Sequence, residues 1–314
     1  MARILTITLN PALDLTVRVP HLEPGEVNRS QALLSHAAGK GLNVAQVLAD
    51  LGHSLTVCGF LGEDNQQAFN ALFARRGFAD AFIRVPGETR SNIKLAEDDG
   101  RVTDINGPGP HVNDLAQHAL LDKLDHIAAS HDAVVVAGSL PRGVSAQWLR
   151  ELVLRLKALG CKVILDTSGE ALKEGLRAGP WLVKPNAEEL SEALGHPVSS
   201  VASQVAAATE LQTLGISHVV ISHGADGVNW FSRGTQPLQA LPPKVRVAST
   251  VGAGDSLLAG MVHGLISGHS PEQTLRSATA IAALAVTQIG FGISDALQLV
   301  TLESGVNVRA LAQE

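Results

Sequence analysis

The chain has 314 residues, of which 45% are hydrophobic, so it is long enough for one large α/β domain or two smaller ones. The formal net charge of -6 and the dispersed cations argue against binding to nucleic acid or to an anionic membrane surface. Cys58 and Cys161 show no metal-ligand spacing. Residues 1–9 are too β-like for a signal peptide, and no apolar run approaches the roughly 20 residues that span a bilayer, so we expect a cytoplasmic protein.

Short β-branched segments alternate along the chain with Ala- and Leu-rich segments of helical period. The strands predicted for the main sheet are, in chain order, 4–9, 55–59, 133–137, 162–166, 181–184 and 218–222. The predicted helices are 42–51, 65–76, 115–130, 146–159, 187–194, 201–214, 255–266 and 271–287. This alternation predicts the α/β class, with a mostly parallel central sheet and helices on both faces. Ligands of such sheets bind beyond the carboxyl ends of the strands.

Four further segments break the alternation. Residues 13–19 and 31–36 have the pattern of strands, and 91–97 and 101–105 have the pattern of a hairpin around Asp98-Asp99-Gly100. Together they predict a small antiparallel sheet that serves as a lid, as a dimerisation surface or simply as an edge sheet. We therefore expect one domain, 1–314, with a β lid contributed by about 11–37 and 88–106.

The most informative motif is Gly252-Ala253-Gly254-Asp255, which precedes the apolar run 257–262. Its glycines allow a sharp turn and a close approach of the backbone to a ligand. The run predicts a buried helix, whose free N–H groups and dipole form an anion site. A carboxylate beside a phosphate-binding turn can take a proton from a hydroxyl that attacks a phosphoryl group. The motif therefore predicts phosphoryl transfer with Asp255 as the base.

A second glycine motif, Gly39-Lys40-Gly41-Leu42-Asn43, opens a predicted helix. It has the spacing of neither a P-loop nor a dinucleotide-binding turn. One interpretation is a tight helix start. The other is a polyol site, in which Asn43 and the glycine amides bind hydroxyls and Lys40 reaches an anion.

Two turns that follow predicted strands also have two interpretations. Asn186 and Glu189 predict either a capping box or a pair of oxygen ligands for a hydrated Mg²⁺. The segment Ser222-His223-Gly224-Ala225-Asp226-Gly227 predicts either a hairpin turn or a nucleotide site on glycine backbone.

Several polar residues are candidates for binding a phosphorylated polyol. Arg90, Asn92 and Lys94 are spaced two apart, so on a strand they share one face, which suits a phosphomonoester. Arg142 lies in a strand-end loop, Arg29 has no obvious structural partner, and Asp14 is well placed for sugar hydroxyls. The histidines show no repeated ligand spacing, so no metal is assigned to them.

Taken together, the two glycine motifs and the pair Asn186 and Glu189 resemble the PfkB or ribokinase-like sugar kinase family, in the right order over essentially the whole chain. Within that family the chain is most similar to bacterial kinases of fructose 1-phosphate. The resemblance implies a ribokinase-like three-layer sandwich with a small β-sheet lid, and a homodimer formed through that lid. His223 and Ser249 depart from residues common in the family, and neither departure removes a catalytic group.

The resemblance also implies roles. Asp255 would deprotonate the C6 hydroxyl of fructose 1-phosphate, while Gly252, Ala253 and Gly254 form an anion hole. Mg²⁺ would be associated with Asn186, Glu189 and Asp166. ATP would contact Lys184, Asn186, Ser222, Gly224, Gly227 and Gly254. The sugar would be held by Asp14, Gly39 and Asn43, and its phosphate by Lys40, Arg90, Arg142, Arg29, Asn92 and Lys94. The alternatives are a kinase of tagatose 6-phosphate or fructose 6-phosphate and, in a different class, a non-catalytic sugar-phosphate-binding regulatory protein.

Overall fold

The computed structural model describes residues 1–312, so residues 313 and 314 of the predicted single domain lie outside the description. The strands are β1 (Arg3–Thr8), β2 (Ala12–Val19), β3 (Ala32–Ala38), β4 (Ser54–Gly62), β5 (Ala79–Asp80), β6 (Ile83–Val85), β7 (Arg90–Glu97), β8 (Val102–Asn106), β9 (Ala133–Ala137), β10 (Val163–Asp166), β11 (Leu182–Val183), β12 (His218–Ser222), β13 (Val228–Ser232), β14 (Leu238–Leu241) and β15 (Asn307–Ala310). The helices are α1 (Lys40–Asp50), α2 (Gln67–Arg76), α3 (Asp114–Ile127), α4 (Ala146–Ala158), α5 (Gly169–Arg177), α6 (Ala187–Leu194), α7 (Val201–Thr213), α8 (Ala253–Ser267), α9 (Pro271–Ala285) and α10 (Ala296–Gly305).

The main sheet has the strand order β15-β14-β13-β12-β11-β10-β9-β1-β4-β5, with β6 paired to β4. The strands of the segment β12-β11-β10-β9-β1-β4-β5 pair in parallel with their neighbours. The strands of the segment β12-β13-β14-β15 pair antiparallel. The chain thus places helices between successive parallel strands, as parallel connections require. The predicted mostly parallel α/β fold is confirmed.

Helices cover both faces of the main sheet. Along β1, Ile4 belongs to one buried apolar cluster, whereas Leu5 and Ile7 belong to the other. This division follows from the two-residue period of a strand, which sends neighbouring side chains to opposite faces. Because helices cover both faces of the sheet, the side chains on both faces of these strands are apolar. This explains why the strand sequences are continuous β-branched runs.

The second sheet, here called the small sheet, has the order β3-β2-β7-β8. The expectation of a purely antiparallel sheet is wrong, because β2 and β7 pair in parallel, with Asp14 opposite Asn92. The reason is that both strands leave the main sheet at the same edge, β2 after β1 and β7 after β6, and so run in the same direction. The predicted hairpin of β7 and β8 is present.

Sequence patterns did not indicate α5, α10, β5, β6, β14 and β15. The strands among these have two to four residues, too few for a clear alternation. The two informative helices begin earlier than expected, α1 at Lys40 and α8 at Ala253, so each glycine motif lies on the first turn of its helix. Among residues 1–312, no helix combines the length and the hydropathy that crossing a membrane requires.

Candidate active site

The first turns of α1 and α8 meet at the carboxyl edge of the main sheet. Gly39 and Gly41 allow α1 to seat there, because a Cβ atom would lie 2.7 Å from Thr8 Cγ2 at Gly39 and 2.4 Å from Thr8 Oγ1 at Gly41. Gly39 also has a φ of 141°, which only glycine adopts readily. The glycines of the first motif therefore fix the start of α1 directly against the end of β1.

The second glycine motif forms the start of α8. Gly252 has a left-handed φ of 82° and packs against the ring of Phe291, which lies 2.9 Å from the place of a Cβ atom. The helix's own hydrogen bonds begin with Ser256 N donating to Gly252 O at 2.8 Å. The amides of Gly254 and Asp255 therefore precede the helical hydrogen bonds, as at any helix start, and are available to an anion.

Asp255 lies on this first turn of α8 with only 6% of its surface exposed. Its Oδ2 accepts a hydrogen bond from Asn43 Nδ2 at 2.8 Å. Burial, and then the nearby carboxylate of Asp166, raise the pKa of Asp255 to about 6, against the lowering effects of Asn43, Lys40 and Lys184. The carboxylate is thus ionised at neutral pH and is a stronger base than a surface aspartate.

Asp166, at the end of β10, lies between two lysines. Lys40 Nζ is 3.4 Å from its Oδ1, and Lys184 Nζ is 3.5 Å from its Oδ2. Burial lowers the pKa of Lys40, but the carboxylates of Asp166, Asp255 and Glu189 outweigh burial and raise it above its ordinary value. Lys184 is 5% exposed, and its Nζ is 3.4 Å from the place of a Cβ atom on Gly254. A fixed positive charge therefore borders the anion turn.

Asn186 and Glu189 form the capping box at the start of α6. Asn186 Oδ1 accepts from Glu189 N at 2.8 Å, and Glu189 Oε2 accepts from Asn186 N at 2.9 Å. The second Glu189 oxygen is left for another partner. In the described part of the chain no three His, Cys, Asp or Glu side chains are arranged to hold a metal. The carboxylate and amide oxygens of Asn186 and Glu189 are of the kind that Mg²⁺ prefers. Asp166 lies beside two lysines, and its buried Oδ2 has no hydrogen-bond partner in the described structure, so this oxygen is open to a further cation.

The small sheet presents a polar face formed by β2 and β7. Its register pairs Asp14 with Asn92, and Asn92 Nδ2 donates to Asp14 Oδ1 at 3.0 Å. Arg90, Asn92 and Lys94 lie on this same face, as their spacing predicts. Burial raises the pKa of Asp14, although Asn92, Arg90 and Lys94 act in the opposite direction. The arrangement combines a half-buried acid with two cations, which matches the hydroxyls and the phosphate of a sugar phosphate.

The cations of this region already have partners. Arg90 Nη2 donates to Asn10 O at 3.1 Å, Lys94 pairs with Asp104, and Arg142 donates to Gly109 O at 2.7 Å. Arg29 lies exposed in the connection between β2 and β3. The structure therefore gathers Arg90, Asn92 and Lys94 around Asp14, and places Arg142 and Arg29 in loops.

Asn10 is a site residue that the sequence reasoning missed. It follows β1, is 7% exposed, and its Nδ2 donates to Ser139 Oγ at 3.2 Å and to Leu140 O at 3.3 Å. Its Oδ1 is buried and has no hydrogen-bond partner in the described structure. The position of Asn10 in the sequence could have indicated this, because a polar residue directly after a central parallel strand lies at the edge of the sheet where ligands bind.

The segment 222–227 forms the turn between β12 and β13, so the hairpin interpretation is correct for its backbone. Ser222 N donates to Pro185 O at 3.1 Å, and this contact places the turn beside Lys184 and Asn186. Gly227 has a φ of 98°, and a Cβ atom there would lie 2.1 Å from Ala240 O. Gly224, by contrast, faces open space. The turn is exposed at Gly224 and thus open to a ligand.

A cavity of about 610 Å³ adjoins the segment that leads into the glycine turn. Its lining combines aliphatic with polar and charged side chains, and no tyrosine occurs anywhere in the chain. The lining residues are Val245, Arg246, Val247, Ala248, Thr287 and Gln298. A flat ligand in this cavity would contact both aliphatic and polar side chains.

Comparison with known proteins identifies the family of this chain. The sequence profile described as "pfkB family carbohydrate kinase" matches residues 7–297. The chain belongs to the pfkB family of carbohydrate kinases. It is 48% identical to a 1-phosphofructokinase of Vibrio cholerae, over 98% of this chain and 97% of the relative, and 47% identical to that of Escherichia coli K12, over 98% of each. Among solved pfkB-like structures, phosphofructokinase-2 of Escherichia coli in complex with fructose-6-phosphate superposes with a TM-score of 0.87 at 28% identity, covering 97% of this chain and 99% of that one.

In this pfkB-family chain, a substitution of Asp166 tests how much its carboxylate stabilises the buried charge of Lys184. Asp166→Asn should lower the free energy of unfolding by about 3 kcal/mol, because it leaves Lys184 buried without a carboxylate partner. We take the lower end of the usual range because Lys40 is partly exposed and partly screened by solvent. Urea unfolding followed by circular dichroism measures the change.

The matched control is Asp125→Asn. It removes an aspartate from an ion pair with Arg155 that is exposed on both sides. Its unfolding midpoint should move little. Equal effects of the two substitutions would contradict the view that Asp166 supports buried charge.

Proposed function

We propose that this protein is a 1-phosphofructokinase, which transfers the γ-phosphoryl group of ATP to the C6 hydroxyl of fructose 1-phosphate. The products are ADP and fructose 1,6-bisphosphate. The observation that carries the proposal is the buried Asp255 carboxylate, held on the same helical turn as the free amides of an anion site. The identity of 47–48% to 1-phosphofructokinases over nearly the whole chain supports the choice of sugar.

In the proposed mechanism, Asp255 orients the C6 hydroxyl and accepts its proton as the oxygen attacks the γ-phosphorus. The bond from that phosphorus to the bridging oxygen of ADP breaks as the new bond forms. The amides of Gly252 and Gly254 donate hydrogen bonds to the phosphoryl oxygens during transfer, and the amide of Ala253 joins them when it leaves its long, 3.4 Å contact with Thr250 O. A pKa of about 6 suits this task, because the base is ionised near pH 7 yet still accepts a proton readily.

The donor phosphates are bound by the residues that border the anion turn. Lys184 Nζ, next to Gly254, contacts the γ-phosphoryl group. Asn186 and Glu189, together with Asp166, would hold Mg²⁺. When bound, Mg²⁺ neutralises the charge of the ATP phosphates. Ser222, Gly224 and Gly227 line the nucleotide site, and the cavity lined by residues 245–248, Thr287 and Gln298 takes the base.

The acceptor is held by the polar face of the small sheet and by the start of α1. Asp14, Gly39 and Asn43 bind sugar hydroxyls, and Arg90, Lys94, Asn92, Lys40, Arg142 and Arg29 bind or attract the existing phosphate. The small sheet acts as a lid that excludes water, since water would otherwise compete with the sugar for the phosphoryl group.

A second candidate, favoured by the likeness to a structure that holds fructose 6-phosphate, is phosphorylation of that sugar at C1. Release of ADP should be measured with fructose 1-phosphate, fructose 6-phosphate and tagatose 6-phosphate. We expect the highest kcat/KM with fructose 1-phosphate. A higher value for either other sugar would replace the proposed substrate.

The same assay tests the base. Asp255→Asn should lower kcat by about 10² or more, the range for a lost general base, while calorimetry still detects sugar-phosphate binding. Asp122→Asn, which changes an exposed aspartate on α3, is the control. Turnover at the wild-type rate in Asp255→Asn would refute the role of Asp255, and absence of turnover in the wild type would favour a regulatory sugar-phosphate-binding protein.

The phosphate clamp is tested separately. Arg90→Ala should raise the KM for fructose 1-phosphate by about 10- to 100-fold, because hydrogen bonds to a charged phosphate are lost. The KM for ATP should stay the same. Arg18→Ala removes a cation from the same face of the small sheet, farther along β2, and should leave both KM values unchanged. Equal increases in the two KM values of Arg90→Ala would contradict the clamp.

We further propose that two copies of the chain associate through the apolar face of the small sheet. The two-residue period places Leu15, Val17, Leu33, Ile93 and Ile105 on the face opposite Asp14. Leu33 is 63% exposed and Ile105 is 53% exposed. An apolar face of this kind is stable in water when it is covered, and a second copy covers it with an identical surface.

Sedimentation velocity tests the dimer. The wild type should sediment with twice the 32.8 kDa mass of the chain, and Leu33→Glu combined with Ile105→Glu should sediment as a monomer. Leu115→Glu changes a leucine that is 81% exposed on α3, away from the small sheet, and should remain dimeric. A monomeric wild type, or a dimer that survives both changes, would contradict this surface.

A further inference from the structure

We propose that Asn43 is the positioning residue for Asp255: its amide group fixes which carboxylate oxygen faces the reacting hydroxyl. This role differs from the binding of sugar hydroxyls, and it rests on the proposed function because it assigns Asp255 the part of the base. It makes the first glycine motif a part of the catalytic machinery as well as of the sugar site.

The contact between the two residues is direct and buried. Asn43 Nδ2 donates to Asp255 Oδ2 at 2.8 Å, and each residue is 6% exposed. Within residues 1–312, no hydrogen bond to Oδ1 of Asp255 is found. A free carboxylate turns about its Cβ–Cγ bond and presents either oxygen. With Oδ2 occupied by the amide, Oδ1 is the oxygen left for a hydroxyl proton.

The orientation of the amide is set by charge. Turning the Asn43 amide over would bring its Oδ1 against the Asp255 carboxylate, where two acceptors repel each other. In the observed orientation Asn43 Oδ1 is buried and has no partner in the described structure, so it can accept from a substrate hydroxyl. One side chain thus meets both the base and the acceptor sugar.

The position of Asn43 is set by the backbone. Its own N–H donates to Gly39 O at 2.9 Å, in the first turn of α1. Gly41 permits this turn to lie against β1, because a side chain there would collide with Thr8 Oγ1. The amide therefore reaches Asp255 from a turn that the main sheet holds rigidly. Rigid support of this kind is what precise placement of a catalytic group requires.

The charged groups around Asp255 come from three elements: Lys40 on α1, Asp166 at the end of β10, and Lys184 after β11. Asp166 acts to raise the pKa of Asp255, and the two lysines act to lower it. Asn43 also lowers this pKa, through its hydrogen bond to the charged form. Loss of the donor should therefore move the titration of the base to higher pH.

The test is the pH dependence of kcat for Asn43→Leu. The leucine has a similar volume but no donor, so we expect kcat to fall about 100-fold, the scale of a misplaced catalytic group. The acidic limb of the kcat profile should move to higher pH, and the KM for the sugar should change less than kcat. Asn43→Asp, which is nearly isosteric, should move the limb further because it places a second carboxylate beside the base.

Gln46→Leu is the matched control. It removes another buried amide from the same helix, one turn farther on, and that amide makes no hydrogen bond to Asp255 in the described structure. Its acidic limb should coincide with that of the wild type. Thermal unfolding is measured for all variants, so that Asn43→Asp replaces Asn43→Leu if the leucine does not fold.

The assay of ADP release by the wild type tests the proposed function first. The Asn43 variants are then assayed with whichever sugar phosphate the wild type turns over. The inference is overturned if an active wild type and the folded Asn43 variant share the same acidic limb, with only the KM raised. In that case Asn43 binds the sugar alone. It is also overturned if Gln46→Leu moves the limb by the same amount.

Discussion

Two carboxylates are buried at the carboxyl edge of the main sheet, and the surrounding structure is arranged to keep them charged. Asp166 and Asp255 are 1% and 6% exposed. An unpaired carboxylate at such depth would take up a proton or oppose folding. Lys40 and Lys184 supply the opposite charge for Asp166, and Asn43 supplies a hydrogen bond for Asp255. Because these partners come from different elements, the edge of the sheet, α1 and α8 have to assemble together for the charges to be tolerated.

This compensation is also what gives the site its chemistry. Asp166 is neutralised closely by cations, whereas Asp255 receives a neutral amide and keeps a raised pKa of about 6. Asp166 and Asp255 therefore have different environments and are suited to different tasks. Asp166 holds lysines beside an anion turn, and Asp255 is the base that we propose.

The two faces of the small sheet also differ in polarity. Alternation along β2 places Asp14 towards β7's polar side chains, while Leu15 and Val17 lie on the other face. The polar face adjoins the end of β1 through Arg90 and Asn10. One pair of strands can thus serve a substrate on one side and, as we propose, a second copy of the chain on the other. The family comparison is consistent with both sugar-phosphate chemistry and this fold.

Local pattern by itself determined the buried strands, the long helices and the two glycine motifs, because period, β-branching and glycine placement are properties of neighbouring residues. It left Asn186 and Glu189 open, since a capping box and a metal-associated pair need the same residues at the same spacing. Only the tertiary structure decided that β2 and β7 run in parallel, that Asp166 lies between two lysines, and that Asn43 meets Asp255 across 212 positions. These contacts join residues far apart in the chain, and no local propensity specifies which distant side chains share a buried edge.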